Sequence, residues 1–111
     1  MNLQNGNMRI VVDIDGVIAI IKGKDYENAI PIKNNIEYFN QLYDAGHTII
    51  YFTGRGYESK IDYNEMTRKQ FDKWGVKYHD LVFGKPGADV YIDDKAVNIS
   101  QIQPFINGRI K

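Results

Sequence analysis

Two aspartates separated by one residue are the side chains of this sequence best suited to chemistry. Asp13 and Asp15 follow an apolar run of β-type residues and precede Gly16. In a strand, side chains at positions i and i+2 point to the same side, and open α/β sheets bind ligands beyond the carboxyl ends of their strands. We therefore expect one carboxylate to attack a substrate or bind a metal ion while the other transfers protons.

Three later segments repeat this arrangement, because each is a short apolar run that stops at polar residues and a turn. The polar residues are Thr53, Gly54 and Arg55 after the first run, Lys85 after the second, and Asp93 and Asp94 after the third. One sheet edge can gather all of them. Together they offer what phosphoryl transfer requires: a nucleophile, a positive charge and a proton donor.

Alternating strands and helices must position these residues. Apolar runs predict strands at residues 8–13, 47–52, 78–83 and 89–92, with the last one central. Helices are predicted from Pro31 to the cap at Gly46, from a capping box at Asp62 and Glu65 to Gly75, and around Ile99, Ile102, Phe105 and Ile106 near the end of the chain. Residues 17–29 predict a small hairpin or flap. This order predicts an α/β fold, a Rossmann-like three-layer sandwich with a mostly parallel central sheet.

Length and composition limit the organisation of the protein. Residues 1–7 are polar and predict a flexible N-terminal tail, and residues 8–111 predict a single domain. With 14 basic and 14 acidic residues, the net charge of zero favours no polyanionic partner, and nucleic acid is not expected to be one. No cysteine is present, which excludes disulfides and thiolate zinc sites. The longest apolar run, residues 17–21, is too short to span a bilayer, so we expect a cytoplasmic protein without membrane contact.

The order of these motifs resembles that of the haloacid dehalogenase superfamily over roughly residues 8–98. The likeness is carried by Asp13-x-Asp15-Gly16, then Thr53, then Lys85, then Asp93-Asp94. It implies that Asp13 is a nucleophile forming an aspartyl-phosphate, and that Asp15 is the general acid and base. It implies further that Thr53 and Lys85 are catalytic residues that bind the transferring phosphoryl group, with Gly54 and Arg55 beside them at the substrate.

The same resemblance implies a magnesium ion as cofactor. Its ligands would be the Asp13 carboxylate, the backbone carbonyl of Asp15 and the Asp93 carboxylate, with Asp94 either a ligand or an orienting neighbour. Arg55 has two interpretations at this stage: a bidentate clamp on a substrate phosphate, or a solvated residue of a glycine loop.

The short intervals between the motifs leave no room for a large cap domain, so the resemblance is to a small capless member. An open site admits large substrates or lets a second copy of the chain cover it as a homo-oligomer. Likeness to phosphatases of capsule and surface-polysaccharide synthesis implies a phosphorylated sugar or similar small metabolite as substrate. The alternatives are a nucleic-acid end or nucleotide phosphatase, and a receiver-like or catalytically silent phosphoryl-binding module. The residue order disfavours a receiver, which needs its phosphoacceptor aspartate after a middle strand.

Overall fold

A parallel sheet of three strands forms the centre of the protein, whose computed structural model describes residues 7–102. The strands are β1 (Arg9–Val12), β2 (Ala19–Ile20), β3 (Ile30–Pro31), β4 (Thr48–Thr53) and β5 (Asp80–Phe83). The helices are α1 (Lys33–Asp44) and α2 (Asn64–Trp74), with 3-10 turns at Tyr26–Asn28 and Ile99–Gln101. The α/β class and the parallel central sheet predicted from the sequence are confirmed.

The sheet has the strand order β1–β4–β5, and β4 is its central strand. Both pairings are parallel, with Val12 opposite Tyr51 and Tyr51 opposite Leu81. A parallel pairing requires a crossover between the strands, and α1 and α2 provide the two crossovers. The carboxyl ends of all three strands therefore lie at one edge.

Alternating residues of the strands bury one face of the sheet against both helices. Val12, Tyr51 and Leu81 lie in the same buried cluster as Phe39 of α1 and Phe71 of α2, and the ring of Phe71 meets that of Tyr51 edge-on at 5.1 Å. On the opposite face Val11 is 58% exposed and Val82 38% exposed. Within residues 7–102 the helices thus cover one face only, which makes two layers where the sequence predicted three.

The flap predicted at residues 17–29 is a small antiparallel hairpin in which β2 pairs with β3. Pro31 belongs to β3, so α1 begins two residues later than predicted, at Lys33. The predicted capping box before α2 is also wrong. Tyr63 occupies the N-cap position, and Asp62 instead accepts a hydrogen bond from the backbone N–H of Asn64. The predicted helix ends are correct, since Gly46 and Gly75 both have the left-handed backbone that glycine tolerates.

The predicted fourth strand at residues 89–92 does not form. Val90 is 67% exposed and Ile92 is 93% exposed. Between them, the Tyr91 hydroxyl donates to the backbone carbonyl of Pro86, and the Tyr91 ring lies 4.4 Å from the Lys85 ammonium. This short segment packs on its own preceding loop, and those contacts replace the pairing that its apolar residues predicted.

The remaining terminal predictions fall largely outside the described residues. Ile99 and Ile102 pack against the core as expected, while Phe105, Ile106 and residues 1–6 lie beyond the described part. Neither helix within residues 7–102 is long and apolar enough to cross a membrane.

Candidate active site

One cleft of about 300 Å³ lies at the carboxyl ends of the three parallel strands. Its lining includes six of the eight residues singled out from the sequence, namely Asp13, Asp15, Thr53, Gly54, Arg55 and Lys85. Each follows or ends a strand of the sheet, so parallel strand order alone brings them together. The structure thus gathers residues from three of the four predicted segments.

Backbone contacts hold the second and third segments side by side. Thr53, the last residue of β4, is opposite Phe83 in the sheet, and its carbonyl accepts a hydrogen bond from the Lys85 N–H at 3.1 Å. A Cβ atom at Gly54 would lie 2.8 Å from the Lys85 carbonyl oxygen. Glycine is therefore required at position 54 for the two loops to approach this closely.

Asp13 and Lys85 form an ion pair in the cleft. The Asp13 Oδ2 lies 3.3 Å from the Lys85 Nζ, and its Oδ1 accepts a hydrogen bond from the N–H of Ile14 at 2.8 Å. The two side chains are 36% and 19% exposed, so the carboxylate remains accessible from the cleft. An ammonium beside a nucleophilic carboxylate can offset the negative charge of an incoming phosphate.

Asp15 is held by Arg55 through two parallel hydrogen bonds. The Arg55 Nε donates to Asp15 Oδ2 at 2.9 Å and the Nη2 donates to Oδ1 at 2.8 Å. The Nη1 of the same guanidinium donates to Thr67 Oγ1 and to Gln70 Oε1 on α2. This fork geometry orients the Asp15 carboxylate more rigidly than a single contact would.

These contacts decide against one of the two interpretations of Arg55. Its side chain is fully buried, so it is not a solvated loop residue. All three guanidinium nitrogens donate to protein acceptors, so in the described arrangement Arg55 is a positioning residue for Asp15. The sequence analysis did not identify Thr67 and Gln70 as partners of Arg55. Their only indication in the sequence is that two polar residues three apart share one face of α2.

The flap completes the wall around this pair. The Arg55 guanidinium lies 5.1 Å from the centre of the Tyr26 ring, and Gln70 Nε2 donates to the Tyr26 carbonyl at 2.7 Å. Burial raises the pKa of Tyr26, and the nearby Asp15 carboxylate raises it further. The flap is therefore anchored to α2 on the Arg55 side of the cleft.

Thr53 is buried and faces the cleft from the end of β4. It is 1% exposed, and its Oγ1 accepts a hydrogen bond from the N–H of Arg55 at 3.1 Å. A hydroxyl that accepts one hydrogen bond can still donate its proton. Thr53 can therefore offer a hydrogen bond to a group bound in the cleft.

Asp93 and Asp94 are the predicted site residues that do not reach the cleft. Both are exposed and neither lines it, because the fourth strand that would carry them to the sheet edge is absent. Asp93 instead accepts a hydrogen bond from the N–H of Lys95. Their predicted role at a metal ion has no counterpart in this arrangement.

A magnesium ion needs several oxygen ligands at once. Within the described residues, no group of three or more Asp, Glu, His or Cys side chains is placed to hold a metal ion. Asp13 offers one accessible carboxylate, whereas the carboxylate of Asp15 is already paired with Arg55. In this arrangement the Asp13 carboxylate is therefore the accessible side-chain oxygen ligand at the cleft, and the backbone carbonyl of Asp15 is the other ligand that the resemblance implies there.

Two solved structures are similar to this chain. No family model and no curated protein matches the chain. The crystal structure of a protein described as an MCSG target from Vibrio cholerae is similar, with 30% sequence identity, a TM-score of 0.76 and coverage of 85% of each chain. A chain in a structure titled as a Pnkp1/Rnl/Hen1 complex is similar at a TM-score of 0.58 and 19% identity, over 89% of this chain and 33% of that one. The second likeness concerns the fold alone.

Proposed function

This chain belongs to the same family as the Vibrio cholerae protein. We propose that the chain is a phosphomonoester phosphatase that forms an aspartyl-phosphate. We propose further that the family falls within the haloacid dehalogenase superfamily, as the order of the motifs predicts. The observation that carries the proposal is the cleft itself. It combines an accessible carboxylate beside an ammonium with a second carboxylate fixed in orientation.

In the proposed reaction an oxygen of the Asp13 carboxylate attacks phosphorus, and the bond from phosphorus to the ester oxygen breaks. Asp15 enters the cycle protonated on an oxygen lone pair that Arg55 does not occupy, and it gives this proton to the leaving oxygen, which departs as an alcohol. Asp15 then takes a proton from water as that water attacks the phosphorus of the acyl phosphate. The bond to Asp13 breaks, inorganic phosphate leaves, and both carboxyl groups return to their starting states. Lys85 and Thr53 contact the transferring phosphoryl oxygens throughout.

A compact phosphorylated sugar or similar small metabolite is the proposed substrate class. The cleft of about 300 Å³ is at the lower end of the range for small-molecule sites. Phosphate release should be measured from sugar phosphates, nucleotides, an oligonucleotide with a terminal phosphate and an aryl phosphate. Turnover of the sugar phosphates supports this substrate class, whereas turnover confined to nucleotides or the oligonucleotide would support the second candidate below. Silence across the panel, aryl phosphate included, would contradict it in favour of a phosphoryl-binding module.

A nucleotide or nucleic-acid end phosphatase is the second candidate. Four tyrosines line the cleft and offer ring faces on which bases can stack: Tyr26, Tyr57, Tyr63 and Tyr91. The net charge of zero counts against a polyanionic substrate. Salt distinguishes the two, because activity on an oligonucleotide end should fall steeply with ionic strength, whereas activity on a sugar phosphate should change much less.

Asp15→Asn should slow the reaction in proportion to the need for a proton. We expect turnover of an alkyl or sugar phosphate to fall by roughly 10²- to 10⁴-fold, because general acid catalysis contributes about that much. An aryl phosphate has a better leaving group and should lose considerably less. The measurement is kcat for both esters with the wild type and the variant. Equal losses on both would mean that Asp15 only shapes the cleft.

Dependence on magnesium is proposed separately, since a divalent cation would relieve the repulsion between carboxylate and phosphate. Chelation with EDTA should abolish phosphate release, and added Mg²⁺ should restore it. Asp93→Asn and Asp94→Asn, compared over a magnesium titration, test the two aspartates that the sequence associates with the metal. A raised magnesium requirement in one variant would identify the ligand. Full activity in EDTA would remove magnesium from the reaction.

A further inference from the structure

An ion pair joins two separate walls of the cleft. The Lys24 Nζ lies 2.8 Å from the Glu58 Oε2, across a sequence separation of 34 residues. Lys24 belongs to the flap between β2 and β3, and Glu58 to the loop that follows β4. Both residues line the same cleft as Asp13 and Lys85. With side chains 65% and 63% exposed, the pair lies on the solvent side of the cleft.

The Glu58 carboxylate also contacts the third wall. A Cβ atom built at Gly87, in the loop after β5, would lie 2.7 Å from the Glu58 Oε1. That distance is shorter than a real Cβ atom tolerates, so the carboxylate occupies the space beside Gly87 that a larger residue would fill. The flap, the loop after β4 and the loop after β5 therefore meet at one carboxylate group.

The flap has other attachments besides this ion pair. Tyr26 is tied to α2 by the hydrogen bond from Gln70, and its ring meets Tyr63 edge-on at 5.1 Å. The Lys24 side chain gives the flap a second attachment, at Glu58 in the loop after β4. The hydrogen bond with Glu58 raises the pKa of Lys24, and the same bond lowers the pKa of Glu58. Both pKa shifts favour the charged forms that make the pair.

We propose that the Lys24–Glu58 pair is a bar across the cleft that selects substrates by size. Compact phosphate esters fit beneath or beside it, whereas a phosphate at the end of a polymer requires the pair to separate. Exposed ion pairs contribute little net stability, so the bar can open during turnover without unfolding the flap. This inference rests on the proposed phosphatase activity and assigns it a substrate class.

The test compares kcat/KM for an oligonucleotide with a terminal phosphate against kcat/KM for an aryl phosphate. Lys24→Ala, Glu58→Ala and Gly87→Ala should each raise this ratio by about two- to fivefold, because separating an exposed ion pair costs about 1 kcal/mol or less. Gly87→Ala acts without removing either charge, because the added methyl group displaces the carboxylate. Reversal of both charges, Lys24→Glu with Glu58→Lys, should return the ratio towards the wild-type value.

The matched control is Lys77→Ala. Lys77 pairs with Asp44 at the same 2.8 Å distance and with comparable exposure, but away from the cleft. We expect it to leave the ratio unchanged. If the cleft variants behave like Lys77→Ala while turnover persists, the size-selecting bar is wrong and the phosphatase proposal stands.

Amide hydrogen exchange provides a readout that does not need catalysis. Backbone amides of residues 22–28 should exchange faster in Lys24→Ala and Gly87→Ala than in the wild type, and the charge-reversed pair should restore protection. Unchanged exchange in those variants would overturn the bar even if the wild type released no phosphate from any ester. Absence of turnover with the predicted exchange pattern would overturn the phosphatase proposal and the size selection that rests on it, and would support only a contact that holds the flap against the loop after β4.

Discussion

Asp13→Asn should leave the protein folded and lower phosphate release by roughly four orders of magnitude or more, because it removes the proposed covalent nucleophile. An amide oxygen can still accept the hydrogen bond that Ile14 donates to Asp13. The lost ion pair with Lys85 is partly exposed, so its removal should change the free energy of unfolding by about 1 kcal/mol or less. The measurements are single-turnover phosphate release and the thermal unfolding midpoint.

Asp44→Asn is the matched control for Asp13→Asn. It also removes a carboxylate from an ion pair, here with Lys77 outside the cleft, and it should retain full turnover. Wild-type protein quenched in acid during turnover should carry one phosphate, and Asp13→Asn should carry none. Appreciable turnover by a folded Asp13→Asn would remove Asp13 as the nucleophile, whatever the other variants do.

The sequence predicted most of the cleft because strand ends are well marked in it. The apolar runs before Asp13, Thr53 and Lys85 each stop where the chain turns, and parallel pairing brings such ends to one edge. Gly54 lies at the same edge, where a Cβ atom would come within 2.8 Å of the Lys85 carbonyl oxygen. A pattern of this kind depends on local sequence and strand direction, both of which can be inferred from one chain.

The same reasoning wrongly predicted a fourth strand at residues 89–92. Residues 89–92 have the apolar content of a buried strand, but pairing also requires a partner edge and the loss of competing contacts. Tyr91 finds those contacts nearby, with the Pro86 carbonyl and the Lys85 ammonium. A local apolar pattern carries no information about such competing contacts. The prediction that Asp93 lies at the sheet edge was therefore wrong together with the predicted strand.

Ion pairs between residues far apart in the sequence were also not predicted. Arg55 is 40 residues from Asp15 along the chain, and Lys24 is 34 residues from Glu58. Each of these side chains has a plausible solvated interpretation when only its neighbours in sequence are known. The choice between them depends on which loops meet, and that follows from the fold as a whole.

Arg55→Lys should impair catalysis through Asp15. A lysine keeps the positive charge but cannot form the two parallel hydrogen bonds that orient the Asp15 carboxylate. We expect kcat for an alkyl phosphate to fall by roughly 10- to 100-fold, since misplacement of a catalytic group by about 1 Å can cost up to 10². Arg55→Ala removes the charge itself and leaves buried partners unpaired, which should cost about 3–5 kcal/mol of stability. That is a large part of the roughly 5–15 kcal/mol that stabilises a typical domain, so Arg55→Lys is the variant to assay.

A double-mutant comparison separates positioning from general loss of structure. If Arg55 acts through Asp15, Arg55→Lys should lower kcat much less in an Asp15→Asn background than in the wild type, because the oriented proton donor is already lost. A purely structural role would give the same loss in both backgrounds. Arg68→Lys is the control, since Arg68 is an exposed arginine of α2 that bonds to Asn64 and Tyr78, and it should change neither kcat nor its dependence on the leaving group. Equal losses from Arg55→Lys in the two backgrounds would limit Arg55 to holding the loop against α2, and the orientation of Asp15 would then need another source.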